Sequence, residues 1–309
     1  MAVTAKAIYK PHKMKEVWQD RLFNGVDLFL VIVILILMLY PLYLIIISSI
    51  SDPGLVALGQ VTLYPKQITF EGYEALISYK ALWRSYLNSI IYTITGTCIS
   101  IVVTMGAAYT LSRKFPGRIL ISFLFVFTMF FNGGLIPTFL VMRNIGLYNN
   151  PWICILMGCV SVWNVMVART YIKSTIPESL YEAAVLDGAS HWRYFLHVVL
   201  PLSGTIVAVL SVYYGVSKWN DYWTGLVYIA RDSLMPLQTI LRRILATLNI
   251  NSELLNISGD ISESQIIRMQ RAELAKYGII VITTAPAVVL YLCMQKFFVK
   301  GVMIGSLKG

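Results

Sequence analysis

Long apolar stretches alternate with short polar ones along almost the whole chain. A helix needs about 20 apolar residues to cross the hydrocarbon core of a bilayer. Leu28–Ile47 is such a run, free of formal charge and interrupted only by Pro41. Runs of similar length follow at Ser85–Leu111, Ile119–Met142, Pro151–Tyr171, Leu202–Ile229 and Gly278–Phe298. The pattern predicts an all-α integral membrane protein with six transmembrane helices. The first run is too long for a signal-peptide core and no small-residue cleavage site follows it, so it is expected to be retained. No internal repeat, heptad array or low-complexity segment interrupts this order.

Orientation follows from Lys and Arg in the short loops. Lys6, Lys10, Lys13, Lys15 and Arg21 precede the first run, and Arg113, Lys114 and Arg118 fill the second loop. The first loop between spans carries mainly Lys66 and Lys80. Both termini are therefore expected in the cytoplasm, with 1–26 a basic cytoplasmic segment and 27–309 the membrane domain. Two connections are too long for turns. The inner one, 172–201, reads as two short helices. Pro177 suits a first turn, and Leu180, Ala183, Ala184 and Asp187 share a face. Gly188 suits the left-handed residue that ends a helix, and Ser190 suits the cap of a second helix that stops before Pro201. The outer one, 231–277, reads as an amphipathic helix over Leu237–Leu248, a polar stretch Asn249–Ser264, then a helical segment to Lys276. It is basic too, but long connections obey the charge rule poorly.

Composition sharpens the class. Hydrophobic residues make up 57% of the 309, charged residues 13%, and the mean hydropathy is +0.69. These values exclude a soluble globular domain and a disordered chain. The net charge of +10 would ordinarily suggest nucleic acid, but the basic residues sit between apolar runs rather than on one polar face, so no nucleic-acid partner is expected. No glycine is followed by lysine, which removes the phosphate-cradling loop of nucleotide hydrolases. His12, His191 and His197 have no partner at metal-ligand spacing, and Cys98, Cys154, Cys159 and Cys293 lie in apolar runs, where cysteine acts as a small hydrophobe. Neither a metal, a cofactor nor a catalytic residue is expected.

Polar residues inside apolar runs need a partner or a water-filled cavity. Asn132 sits mid-run beside Gly133-Gly134 and Pro137, so the third span is expected to break there. Trp163-Asn164 lies in the middle of the fourth run and Trp219-Asn220-Asp221 in the outer part of the fifth. Aromatic faces with amide and carboxylate neighbours suit a sugar pathway. Inter-helix hydrogen bonding among packed aromatics is the alternative reading of each.

The inner connection carries the most specific signal. Glu182-Ala183-Ala184 is followed after three residues by Gly188, then after nine more by Val198-Val199-Leu200-Pro201. This resembles the EAA–x3–G–x9–I–x–L–P signature of permease subunits of binding-protein-dependent ABC importers, with Val198 in place of isoleucine. Similarity to the carbohydrate-type permeases, related to the maltose-system inner subunit, extends over nearly the whole chain. It runs through Tyr64-Pro65, Thr69-Phe70, Tyr73, Phe131–Thr138, Trp219–Trp223, Met235–Gln238 and the tail from Val299 to Gly309. The branch most resembled is the one associated with complex oligosaccharide uptake. Thr224-Gly225 departs from the proline-leucine that many relatives carry there, and puts the local helix geometry in question.

The resemblance implies a multi-pass subunit of a bacterial cytoplasmic membrane. Its partners would be a second homologous permease, two cytoplasmic ATPase subunits and an extracytoplasmic solute-binding protein. It also implies that Glu182, Ala183, Ala184, Asp187, Gly188, Leu200 and Pro201 couple to the ATPase. Asn132, Trp163, Asn164, Trp219, Asn220 and Asp221 would line the pathway, and Asn251, Asn256, Ser258, Gly259 and Asp260 in the outer loop would meet the binding protein. The expected cargo is an oligosaccharide with uronic-acid units, as the branch resemblance implies together with Arg231, Arg242, Arg243, Arg268, Arg271 and Lys276 in the outer segment, which could steer an anion. The runner-up is a permease for a small polar solute such as a polyamine or phosphate ester. A secondary transporter would usually show two similar halves and an ion relay, which this chain lacks.

Overall fold

The computed structural model describes residues 18–258, 275–293 and 295, and every regular element among them is helical. Three helices are long and apolar enough to cross a membrane: α1 (Trp18–Ser49), α4 (Lys80–Ser112) and α15 (Ala275–Cys293). Two bent pairs pass the same test when each is taken as one span, which raises the number to as many as five. The first pair is α5 (Arg118–Phe130) with α6 (Leu135–Asn144), bent by 115°. In the second, α10 (His191–Tyr194) runs through a π turn (Phe195–Val199) into α11 (Leu200–Leu202), and then bends by 80° into α12 (Gly204–Trp219). Between α1 and α4, α2 (Pro53–Ala57) is capped by the Asp52 carboxylate, which accepts from the Gly54 and Leu55 amides, and α3 (Glu71–Ser78) follows.

The continuous helix expected over Pro151–Tyr171 is interrupted. α7 (Pro151–Leu156) stops, Gly158 takes a left-handed φ of +71°, and α8 (Val162–Thr175) restarts under a Ser161 cap. A single glycine in an apolar run gave little warning of this. Likewise, α13 (Trp223–Tyr228) is separated from α12 by Asn220–Tyr222. After a short 3₁₀ turn (Asp232–Leu234), α14 spans Leu237–Ser258, so the polar stretch expected from Asn249 is helical at least to Ser258. Between α8 and α10, α9 (Glu178–Leu186) forms the first helix of the connection that carries the signature.

The hub of the bundle is α4, which packs against α8 and α12 along most of its length. Its buried face includes a row of small residues, Ser85, Ser89, Gly96, Ser100, Thr104 and Ala108, beside larger ones such as Tyr92 and Met105. Small side chains at four-residue spacing let helix backbones approach closely in a membrane, where the hydrophobic effect does not press helices together. At the α9 end, Met105, Ala108, Ala168, Ile172, Tyr194, Phe195, Ile206 and Leu210 form one cluster. At the other end, Tyr92, Ile153, Ile155, Tyr228, Met235 and Ile240 form another. By contrast, α1 leaves nearly all its apolar side chains exposed until Ile47, and touches the rest through Tyr40, Tyr43 and Ser49.

Candidate functional site: the α9 plug and the polar breaks

Helix α9 is closed by the turn that its sequence demands. Gly188 has φ +69°, its amide donates to the Val185 carbonyl at 3.0 Å, and the Ala189 amide reaches back to Ala184 at 2.9 Å. This pair of bonds is a Schellman motif, and it satisfies carbonyls that the helix end would otherwise leave open. A Cβ at Gly188 would meet nothing within 4 Å, so backbone conformation alone favours glycine there. Ser190 caps α10 as expected, its hydroxyl accepting from the Arg193 amide.

Pro201 departs from expectation. It lies inside α11 rather than beyond the helix end. Proline lacks an amide and crowds the carbonyl four residues back. The π turn immediately before it, closed by the Leu200 amide on the Phe195 carbonyl, widens the helix there, and the chain turns only at Ser203.

Exposure divides the plug. Glu182, Ala183, Asp187 and Gly188 are exposed and Leu186 is 88% exposed, so the tip projects. Leu180 is also largely exposed. Tyr181 and Ala184 face inward and pack on the core, and Leu200 packs on the same cluster. Of the four residues expected to share a face, Leu180, Ala183 and Asp187 are thus exposed and Ala184 packs inward.

What fixes the plug to the membrane helices is a cluster that sequence reasoning missed. The Arg113 guanidinium lies 4.0 Å from the ring centroid of Tyr181 on α9, 5.0 Å from that of Tyr194 on α10, and 5.3 Å from that of Tyr109 on α4. Cation–π contacts of this kind strengthen as they lose water. His191 adds polar links, with Nδ1 3.3 Å from the Tyr109 hydroxyl and Nε2 3.4 Å from that of Tyr181, and its ring stacks on Tyr181. Three tyrosines around an inner loop were the available signal.

The pathway candidates separate into two kinds. Asn132 is exposed at the α5–α6 bend, where its Oδ1 accepts from the Gly134 amide at 2.9 Å. The expected break of the third span is therefore present, with Gly134 at φ +87°. Trp163 is 64% exposed and Asn220 is exposed, whereas Asn164 is buried. Trp219 is also buried, donating from Nε1 to the Thr283 carbonyl of α15 at 2.9 Å and meeting Tyr86 edge-on. Asp221 caps α13, accepting from the Thr224 amide at 3.0 Å and its hydroxyl at 2.6 Å. The polar groups of Asn132 and Asp221 thus close on their own turns, and Trp219 bonds to a neighbouring helix. Thr224-Gly225 now has a structural reason: a Cβ at Gly225 would collide with Thr239 Oγ1 and sit 2.7 Å from Pro236 Cδ.

Lys218 was also overlooked. Its ammonium donates to the carbonyls of Cys154 at 3.2 Å, Ile155 at 2.8 Å and Met157, gathering the end of α7. A cation at a helix C-terminus complements the partial negative charge there. An ionisable residue inside an apolar run was the signal that could have found it.

In the outer segment, Asn251, Asn256 and Ser258 lie along the backbone of α14, while Gly259 and Asp260 lie outside the described residues, as do Arg268, Arg271 and the tail from Val299. Arg243 pairs with Asp232 at 2.7 Å, and Arg242 stands 4.5 Å from the centroid of Tyr222, beside the Trp219–Trp223 stretch. Residues 231–237 dock on α4 through Asn88, Ser89 and Tyr92, which bond to the backbone of Ser233, Met235, Leu237 and Leu234.

Similarity to known proteins accords with this geometry. A polygalacturonan/rhamnogalacturonan transport system permease protein, YtcP of Bacillus subtilis (strain 168), is 32% identical over 94% of this chain and 100% of its own length. Protein LplC of the same organism is 32% identical over 96% of this chain and 99% of its own. Among solved structures, a chain of a bacterial ABC transporter involved in the import of the acidic polysaccharide alginate superposes with a TM-score of 0.80 at 31% identity, covering 92% of this chain and 99% of that one. Residues 75–304 match the family described as binding-protein-dependent transport system inner membrane component. The chain belongs to that family of transport permease subunits.

Proposed function

We propose that this chain is one of two permeases of an importer that carries an oligosaccharide with uronic-acid units across the bacterial cytoplasmic membrane. ATP is hydrolysed by two separate cytoplasmic subunits, and a solute-binding protein delivers the cargo. The observation that carries the reading is the α9 plug: an exposed, acid-bearing tip closed at Gly188 and tied through Tyr181, Arg113 and Tyr109 to the hub helix. Such a tip transmits a partner's movement to α4 and, through α11, to α12.

The chain then crosses the membrane six times with both termini inside, using α1, α4, α5–α6, α7–α8, α10–α12 and α15. A membrane tolerates such breaks where they line a cavity or are buried in protein, and the assembled importer supplies those surroundings. Asn132, Trp163 and Asn220 offer exposed groups to the sugar, Trp219 ties α12 to α15, Asp221 holds the start of α13, and Asn164 lies buried in α8. The α14 segment with Asn251, Asn256 and Ser258, continuing to Gly259 and Asp260, meets the binding protein. The acidic cargo is supported by the polygalacturonan/rhamnogalacturonan and alginate systems named above and by Arg242 beside Tyr222.

Uptake of labelled oligogalacturonate by cells carrying the complete system tests the reading. Glu182→Lys should abolish uptake and reduce ATPase co-purification while cargo binding by the isolated binding protein is untouched. Full uptake by that variant, or labelling of Ser190→Cys from outside intact cells, would overturn it.

A further inference from the structure

Beside the plug, the links α4–α5 and α8–α9 enclose a cleft of about 400 Å³. Arg113, Lys114, Arg118 and Lys173 line it with a single acid, Glu178. A second cleft of about 220 Å³ shares Lys114 and Arg118 and continues past Gly117 to Ile119. We propose that these joined clefts bind the phosphate of an anionic phospholipid headgroup, with the acyl chains lying along α5.

Four features converge on that ligand. The first is charge crowding, since four cations in one cleft repel one another until an anion enters. Lys173 stands among the charges of Arg169, Arg118 and Lys114, with Glu178 as the opposing acid. Arg113 is already committed to the tyrosines, so Lys114, Arg118 and Lys173 are the groups available to a phosphate. The second is the start of α5. Gly117, at φ +83°, stands at its cap position without a side-chain hydrogen bond, and the first-turn amides of a 13-residue helix add donors and a positive end.

The third feature distinguishes a lipid from a free anion. Directly beyond the cations, α5 exposes Ile119 at 80%, with Leu120 and Phe123 also exposed. A water-soluble phosphate gains nothing from that apolar wall, whereas a phospholipid satisfies both surfaces at once. The fourth distinguishes a lipid from the ATPase. The plug next to the cleft exposes Glu178, Glu182 and Asp187, so a partner built to receive it is complementary to anions and is a poor match for a cationic cleft. Cations beside a span also gain from the negative potential of the inner leaflet.

The inference rests on the inward orientation proposed above only for naming the leaflet. Native mass spectrometry of the assembled permease–ATPase complex, extracted from vesicles of phosphatidylcholine and phosphatidylglycerol, would read lipid retention directly. The triple variant K114Q/R118Q/K173Q should retain about tenfold less phosphatidylglycerol relative to phosphatidylcholine, with its ATPase subunits still bound. A photoactivatable phosphatidylglycerol should cross-link to 114–119 in the wild-type complex, which keeps a result in hand even if the triple variant does not assemble. Unchanged retention, or cross-linking elsewhere, overturns the proposal. So does ATPase loss with lipid retention intact, which would make the cleft a protein dock. Inorganic phosphate that protects the complex in pure phosphatidylcholine as well as phosphatidylglycerol does would also overturn it, because the site would then take a free anion. Labelling of Ser174→Cys from outside intact cells would refute the orientation while leaving the lipid result standing.

Discussion

Two of the breaks in the apolar stretches of this chain are built on opposite plans. At 131–134 the α5–α6 bend is exposed, and its side-chain bonds are local: Asn132 accepts from the Gly134 amide, and the Thr138 hydroxyl donates to the Gly134 carbonyl. At 157–161 the α7–α8 break is held from a distance. Lys218 gathers three carbonyls from about sixty residues away, Tyr214 accepts from the Ser161 amide at 3.2 Å, and the Cys159 thiol donates to Ile155. Tyr214 also bonds Thr104 at 2.7 Å, so three helices meet at this one gap. The difference separates a break tied to distant elements from one tied to its own turn.

Removing the lysine should widen the contrast most. Lys218→Met would strand carbonyls in the buried break at a cost of about 3 kcal/mol, since an unmade hydrogen bond there cannot be replaced by water. The thermal midpoint of the purified complex should fall by several degrees, and a wild-type midpoint would show that the staple does not hold the break. Gly96 probes the same gap from α4. A Cβ there would stand 3.1 Å from the Ile155 carbonyl oxygen and 3.2 Å from Lys218 Cε. Gly96→Val should therefore cost about 2 kcal/mol through overpacking, with a proportionately smaller drop in midpoint. Ser161→Ala removes one cap and should cost about 1 kcal/mol.

The exposed break should give the inverse result. Asn132→Ala loses one solvent-facing bond, worth under about 1 kcal/mol, so the midpoint should barely move. Uptake should nonetheless fall, because the amide faces the proposed pathway. A variant that melts early and transports normally would erase the distinction between the two breaks.

The same contrast explains what could be read in the sequence. The 131–134 break announces itself locally, because Asn-Gly-Gly followed by proline cannot continue a helix. The plug was legible for the same reason: Gly188, Ser190 and the signature around them act within a few residues. The 157–161 break was not legible, because its only local mark is Gly158, and Lys218 lies in another element. The small-residue face of α4 was hidden likewise, since serine and glycine at four-residue spacing have no meaning until α8 and α12 are known to lie against them. Pro201 misled because a proline usually ends a helix, and the π turn that admits it leaves no trace in composition. The contacts of Trp219 and Asp221 were hidden for the same reason: Trp219 bonds to the distant Thr283, and Asp221 closes on Thr224 only because the chain bends between them.

The docking of 231–237 on α4 has a consequence for how the protein is made. Ser89 receives the Leu237 amide across 148 residues, Asn88 meets Ser233 across 145, and Thr104 meets Tyr214 across 110. At ordinary elongation rates that interval lasts on the order of ten seconds. During it, Asn88, Ser89 and Thr104 of α4 wait for partners that have not yet been made. The newborn chain is thus most vulnerable to membrane quality control between the synthesis of its second long helix and its fourteenth. Nascent chains arrested before residue 230 should be degraded faster in a pulse-chase than chains arrested after residue 258. Equal lifetimes would mean that something other than the chain's own later residues shelters α4.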